Sequence, residues 1–96
     1  MHDVADFPVL AIGASAGGLE AVRRITEALS RNCRAAVALV VHVGRQPSQL
    51  PEILTWHGKL PAAFAEEGAV LEPGRIYVAP PDRHMLLQAP GLIHLD

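Results

Sequence analysis

Ser15 stands among glycines in Gly13-Ala14-Ser15-Ala16-Gly17-Gly18, at the point where an apolar run gives way to a helical pattern. Two chemistries put a serine in that setting. The residues satisfy Gly-x-Ser-x-Gly, the turn that lifts a nucleophilic hydroxyl above a strand end. They equally satisfy Gly-x-Ser-x-x-Gly, a serine-substituted dinucleotide fingerprint. Without a Cβ, Gly13 and Gly17 are expected to allow a tight reversal that raises Ser15 Oγ, and the helix starting there aims its unpaired N–H groups at the same spot. A serine in such a turn can also serve only as a helix cap.

The end of the second apolar run separates these possibilities. A dinucleotide site wants an acid there, about 20 residues beyond the glycines, to hold the ribose hydroxyls. Ala35-Ala36-Val37-Ala38-Leu39-Val40-Val41 ends in His42 instead, the next acid is Glu52, and Arg45 could at most contact a 2′-phosphate. Neighbouring strands of an open parallel sheet present their carboxyl ends to one crevice, so Ser15 and His42 are expected side by side. Serine needs a base to take its proton as it attacks, and an imidazole with an unperturbed pKa near ~6.5 suits the task. Ser15 is therefore the candidate nucleophile and His42 the candidate base. The amides of Ala16, Gly17 and Gly18 could hold the oxyanion, a contact whose loss typically raises the barrier by about 2.7–4 kcal/mol. The competing reading is a non-catalytic module whose glycine turn and helix N-terminus bind a phosphate or nucleotide.

The elements that must position these groups follow from hydrophobic periodicity. Residues 7–12 form a nearly wholly apolar run, as in a strand buried on both faces of a parallel sheet. Leu19, Val22, Ile25 and Leu29 then recur at helical spacing over residues 18–29, and residues 35–41 form the second strand, which together make a right-handed βαβ unit. A second helix follows, with Ser48 as N-cap, Pro51 in its first turn, Leu50, Ile53, Leu54 and His57 along one face, and Gly58 at its end. Short runs at residues 62–65, 70–71, 75–79, 84–88 and 92–95 read as an antiparallel meander, with Pro73-Gly74 at the centre of a type II turn. The expected fold is α/β: a parallel, doubly wound βαβαβ sheet with a C-terminal antiparallel meander, forming an incomplete three-layer α/β/α domain.

Composition narrows the function classes. The chain has 96 residues, room for one small domain. Half of the residues are hydrophobic, a high share for so short a chain, so apolar surface is expected to await a partner or further polypeptide. Eight scattered Lys and Arg, a net charge of −2 and few aromatics argue against nucleic-acid binding. The sole cysteine, Cys33, suits a reducing compartment and sits in a polar connector where packing is the expected role. The first residues lack the basic region of a signal peptide, and no apolar run reaches the ~20 residues of a membrane span, so a cytoplasmic protein without membrane insertion is expected. The five histidines are not grouped with acids or cysteines; no metal and no cofactor is expected. His2 and His94 have no evident partner, and His57 falls on a helix surface.

At this point the chain resembles the chemotaxis protein-glutamate methylesterases, the CheB-type catalytic domains. Gly13-Ala14-Ser15-Ala16-Gly17-Gly18 looks like that family's nucleophile turn, and Val40-Val41-His42 is similar to its strand ending in the catalytic histidine. Ile76-Tyr77-Val78-Ala79-Pro80-Pro81-Asp82-Arg83-His84-Met85 is similar to a third family segment. The resemblance covers nearly all of the chain. It implies that Ser15 is the nucleophile and His42 the base, with His84 a possible substrate contact near the active-site face. The implied activity is hydrolysis of γ-glutamyl methyl esters, or deamidation of glutamine, on chemoreceptor helices or another methylated protein.

Two departures qualify that implication. The family's triad acid comes from a Gly-x-Gly-x-Asp-Gly motif absent from these residues, and Asp82, Glu66, Glu67 and Asp96 do not match its context. In serine proteases, loss of the equivalent acid costs about four orders of magnitude in rate. The residues before Phe7 are also too few for the receiver domain of the regulated enzymes. Residues 1–96 thus read as one partial catalytic domain, weakly active or inactive alone, with self-association through its exposed half-domain surface as a further expectation.

Overall fold

The computed structural model describes residues 7–41 and 49–96. Val9–Ala14 forms strand β1, a single 3-10 turn at Ala16–Gly18 leads into helix α1 (Leu19–Ala28), and Ala36–Val41 forms β2. Helix α2 (Leu50–His57) and strands β3 (Ala62–Phe64), β4 (Ile76–Val78), β5 (Met85–Gln88) and β6 (Leu92–Leu95) follow. The first four strands make one sheet in the order β1-β2-β4-β3, all neighbours parallel, while β5 and β6 form a separate antiparallel pair.

Sequence pattern accounts for both helices. Leu19, Val22 and Thr26 of α1 and Leu29 at its C-cap turn inward, while Arg23 pairs with Glu27 at 2.7 Å and Arg24 with Glu20 at 3.5 Å on the solvent side. Glu20 in the first turn also complements the helix dipole. Thr26, not Ile25, fills the inward position: Ile25 is exposed, and the buried Thr26 hydroxyl is satisfied by donating to Arg23 O at 3.1 Å. Helix α2 carries Pro51 in its first turn, where its missing N–H costs nothing, and buries Leu50, Pro51 and Leu54. Its N-cap is Gln49; Ser48, expected in that role, lies outside the described residues. Gly58 closes α2 against α1. A Cβ at this position would lie 3.1 Å from Leu54 O and 3.4 Å from Thr26 O, so only glycine fits there without displacement.

Two cores result. Val37, Leu39 and Val41 of β2 alternate with Ala36, Ala38 and Val40, so the sheet has two distinct faces. Val37, Leu39, Val41, Ile76 and Val78 meet Val22, Leu50 and Leu54 on the face covered by both helices. Leu39, Val37 and Val78 are wholly buried, each worth roughly 1.5–3 kcal/mol relative to exposure. On the opposite face Ala36, Ala65, Leu71, Ile93 and Leu95 form a second cluster, with Tyr77 packed against it. The β5–β6 hairpin is tied down by Gly68 N to Ile93 O (2.8 Å), Ile93 N to Ala69 O (2.9 Å) and Leu71 N to Gly91 O (2.8 Å). Glu67 adds a side-chain tie, accepting from Leu95 N at 2.7 Å and facing His94 Nδ1 at 3.1 Å. His94 therefore has a partner that its place in the sequence did not suggest.

The α/β class with a parallel sheet and a C-terminal antiparallel pair stands, with three local differences. The runs at 62–65 and 75–79 join the parallel sheet as β3 and β4, leaving the antiparallel part as one hairpin plus a bridge from Val70 to Leu92. The first strand spans Val9–Ala14 rather than residues 7–12. It is also an edge strand, largely exposed, where the apolar run alone implied cover on both faces. Pro73-Gly74 does form its turn, Gly74 taking the positive φ of +79° that the second central position of type II requires.

Candidate active site

Ser15 follows directly on β1, and β1 is locked to β2 in parallel register from Val9↔Ala36 to Ala14↔Val41. Cα-paired strands lie ~4.8 Å apart, so the end of β1 and the end of β2 present adjacent positions at one rim of the sheet. Ser15 is exposed there. His42, the residue after Val41, lies outside the described residues.

The chain turns at Ser15 by a single 3-10 turn in which Gly18 N donates to Ser15 O at 2.9 Å. The cap reading of Ser15 is not supported: the N-cap of α1 is Gly18, and Ser15 Oγ makes no hydrogen bond to another described residue. The Gly18 amide is already committed to Ser15 O. The amides of Ala16 and Gly17 donate to no other described residue.

The glycines act differently from the sequence-based expectation. Gly13, Gly17 and Gly18 all have ordinary backbone conformations; among the described residues the positive-φ glycines are Gly68, Gly74 and Gly91. A Cβ on Gly13 or Gly17 would meet nothing within 4 Å. Their missing side chains are thus not needed to fold the turn. What they provide is clear space beside Ser15, the condition for close approach of another molecule or segment.

The third segment starts from the same rim. Ala79 N donates to Leu39 O at 2.9 Å, so the Pro80-Pro81-Asp82 turn leaves from the carboxyl end of β4, next to β2. Asp82 adopts a left-handed φ of 61° in this turn. His84 is exposed and its main chain pairs with Asp96 (His84 N to Asp96 O, 3.1 Å; Asp96 N to His84 O, 2.9 Å), continuing the hairpin ladder; no hydrogen bond joins its side chain to Asp82 or Ser15. Arg83 reaches Leu95 O at 3.3 Å. His57 is exposed on α2, and Cys33 packs against the first core with Sγ 3.7 Å from Ala35 O.

The ionisable group that departs most instructively from ordinary behaviour lies elsewhere. Glu67 is held below the usual carboxylate range, first by the hydrogen bond from Leu95 N, then by His94, with a smaller contribution from Arg83. It serves the hairpin, not the serine, and a separation of 27 residues gave no sequence signal for the pairing. A groove of about 250 Å³ lined by Ala63, Phe64, Glu66, Arg75 and Tyr77 lies at β3 and β4, separated from β1 by β2. Among the described residues no three His, Cys, Asp or Glu side chains gather as metal ligands, and no helix is long and apolar enough to cross a membrane.

Known proteins share this fold. Residues 10–96 match the family described as CheB methylesterase. The chain is 38% identical over 90 residues to "Protein-glutamate methylesterase/protein-glutamine glutaminase 3" of Anaeromyxobacter dehalogenans, covering 93% of this chain and 26% of that protein. It is 31% identical over 91 residues to "Protein-glutamate methylesterase FrzG" of Myxococcus xanthus, covering 94% and 27%. The structure superposes on the Thermotoga maritima CheB methylesterase catalytic domain with a TM-score of 0.80 at 30% identity, over 94% of this chain and 49% of that one. The chain thus spans about a quarter of the length of these curated relatives and about half of the solved catalytic domain. With its family match extending over nearly every residue and its parallel sheet superposing on a solved member, this chain belongs to the CheB methylesterase family.

Proposed function

We propose that residues 1–96 are part of one catalytic domain that hydrolyses γ-glutamyl methyl esters on protein, or deamidates glutamine, with Ser15 as nucleophile and His42 as base. The observation that carries this reading is the β1–β2 register: it ends at Ala14↔Val41, and the next residue of each strand's sequence is one half of the acyl-transfer pair. The names of the relatives describe the same activity in those proteins.

In this mechanism Ser15 Oγ attacks the ester carbonyl carbon as His42 takes its proton. The oxyanion is met by the amides of Ala16 and Gly17, since Gly18 N–H is bonded to Ser15 O. The tetrahedral intermediate collapses as the imidazolium protonates the leaving methoxide, releasing methanol and leaving an acyl-serine. Water activated by His42 then attacks the acyl-serine, giving the glutamate carboxylate and returning the proton to Ser15. The open space over Gly13 and Gly17 admits a substrate backbone to the exposed serine. His84, leaving from the same rim through the Asp82 turn, is available to contact it.

The substrate is a methylated chemoreceptor helix or another methylated protein, encountered in the cytoplasm. No cofactor or metal takes part in the proposed reaction. Without an aspartate to orient and charge-stabilise His42, turnover by these residues alone is low or absent. The test is methanol release from a γ-glutamyl-methylated receptor peptide, by the chain alone and with the second half of a CheB catalytic domain supplied. Turnover that requires both Ser15 and His42 supports the reading, whereas nucleotide binding without turnover favours the phosphate-binding alternative.

A further inference from the structure

The groove at β3 and β4 takes no part in the site described above. It holds about 250 Å³ and is separated from β1 by β2. Ala62 and Phe64 pack against the first core, so Ala63 between them turns to the opposite side of the sheet, where it is exposed beside its registered partner Tyr77. These two residues form the floor. Ala69, packed with Tyr77 against the second core, lines one side, and Pro61 and Arg75 line the end at which β3 and β4 begin.

This lining is fixed before anything enters it. Glu72 N donates to Tyr77 Oη at 2.8 Å, and the same hydroxyl lies 3.5 Å from Val70 O, which holds the ring in place. The Glu72 carboxylate accepts from Arg75 Nε at 3.1 Å. Arg75 is thereby oriented, and its two Nη atoms bond no other described residue. At the far end of the groove Glu66 is exposed, and its carboxylate makes no hydrogen bond or ion pair with another described residue. A ligand binding here would meet a formed surface with one cationic and one anionic end, so little ordering of the protein opposes it.

The two charges set the length of the occupant. Arg75 stands two residues before Tyr77 and Glu66 three residues after Ala63, so on parallel strands five steps of about 3.3 Å, or about 16 Å, separate them. The ammonium and carboxylate of one free amino acid cannot span that distance. In an extended peptide residues i, i+2 and i+4 point to one face, and the outer two lie about 13 Å apart, a gap that long charged side chains close. The middle residue then falls over Ala63 and Tyr77, where an apolar side chain displaces water from an apolar floor. Strand addition at the neighbouring edge is a different mode and is obstructed: Thr55 Oγ1 accepts from Ala62 N at 2.9 Å and lies 3.2 Å from Ala62 O.

We infer that this groove docks an extended segment of a partner protein with the pattern acid-x-apolar-x-base. The acid meets Arg75, the apolar side chain covers Ala63 and Tyr77, and the base meets Glu66. Charge complementarity selects this occupant, since a doubly acidic segment brings like charge to Glu66 and a doubly basic one brings it to Arg75. The inference does not depend on the chemistry of Ser15.

The probe is the end-blocked peptide Glu-Thr-Leu-Thr-Lys, titrated into the purified chain and followed by amide shifts in nuclear magnetic resonance. Saturable shifts centred on Ala63, Glu66, Ala69, Arg75 and Tyr77 are expected, with affinity at least about 10-fold above that for Glu-Thr-Leu-Thr-Glu or Glu-Thr-Ser-Thr-Lys. Glu66→Lys should reverse the preference between the peptides ending in Lys and in Glu. Ala63→Phe fills the groove from an exposed position, and should weaken binding at least about 10-fold with circular dichroism unchanged. No saturable shift at millimolar peptide, equal affinity for the three peptides, or binding indifferent to either variant overturns the inference. Shifts at the same residues on concentrating the chain alone also overturn it, because they make the groove an interface between copies.

Discussion

Ala14 and Val41 face each other as the last registered pair of the β1–β2 parallel ladder, and Ser15 and His42 are the residues that follow them. A parallel pair holds its strands in evenly spaced steps, so Ser15 begins beside the carboxyl end of β2 without a long loop to order. The ladder itself is short of cover on the β1 side, which makes the same strand both the carrier of the serine and the least protected part of the sheet.

Ser15→Ala should abolish ester hydrolysis by the assembled domain and leave stability nearly unchanged. Ser15 is exposed and its hydroxyl bonds no other described residue, so its removal is expected to fall within about 0.5 kcal/mol in urea denaturation. A large loss of stability would mean that the hydroxyl is a cap.

Gly17→Ala separates a folding role from a functional one. Its φ is not in the left-handed region and its Cβ would enter open space, so reduced freedom of the unfolded chain should give a gain of about 0.4–1 kcal/mol. Activity should nevertheless fall, because the new methyl group occupies the approach to Ser15. Thermal melts and kcat/KM on the same variant check both halves.

Leu39→Ala should be among the most damaging single changes. Leu39 is wholly buried between the two helices and the sheet, where a large-to-small substitution typically costs about 2–5 kcal/mol. In a domain of this size that is a large part of total stability, and the far-ultraviolet spectrum should show loss of structure.

The Glu67 tie gives a pH dependence of definite sign. Its carboxyl is lowered in the folded chain by Leu95 N, His94 and Arg83, so its contribution is complete above the ordinary carboxylate range near ~4.3 and is lost as pH falls through the lowered folded value. Glu67→Gln should flatten the acid limb of stability against pH. Near-ultraviolet or Tyr77 fluorescence, which reports on the hairpin's cluster, is the readout.

The elements that depend on local pattern were legible in the sequence. The helix at Leu19–Ala28, the strand at Ala36–Val41, the Pro51 start and Gly58 end of α2 and the Pro73-Gly74 turn all follow from periodicity, capping and backbone preference. What depends on long-range pairing was not. Ala62–Phe64 and Ile76–Val78 are three-residue strands, too short to show whether they run parallel or antiparallel. The apolar run of β1 reads as buried because its composition is that of a buried strand; its exposure follows from its place at the edge of the sheet, which composition cannot reveal. At the site, the Ser15 turn was legible from spacing, but the reason for its glycines was not: open space at Gly13 and Gly17, not backbone conformation, distinguishes them. Thr26 rather than Ile25 faces inward because it lies four residues after Val22 on the Leu19/Val22 stripe, and its hydroxyl is satisfied within its own helix.

Covalent labelling tests the central claim most directly. The chain, assembled with a CheB second-half polypeptide, is treated with a fluorophosphonate and digested for mass spectrometry. A single adduct on Ser15, absent from Ser15→Ala and reduced at least about 100-fold in His42→Ala, is the predicted result. An assembled domain that hydrolyses the methyl ester while its adduct lies on another residue, or that keeps full turnover with Ser15→Ala, would contradict it.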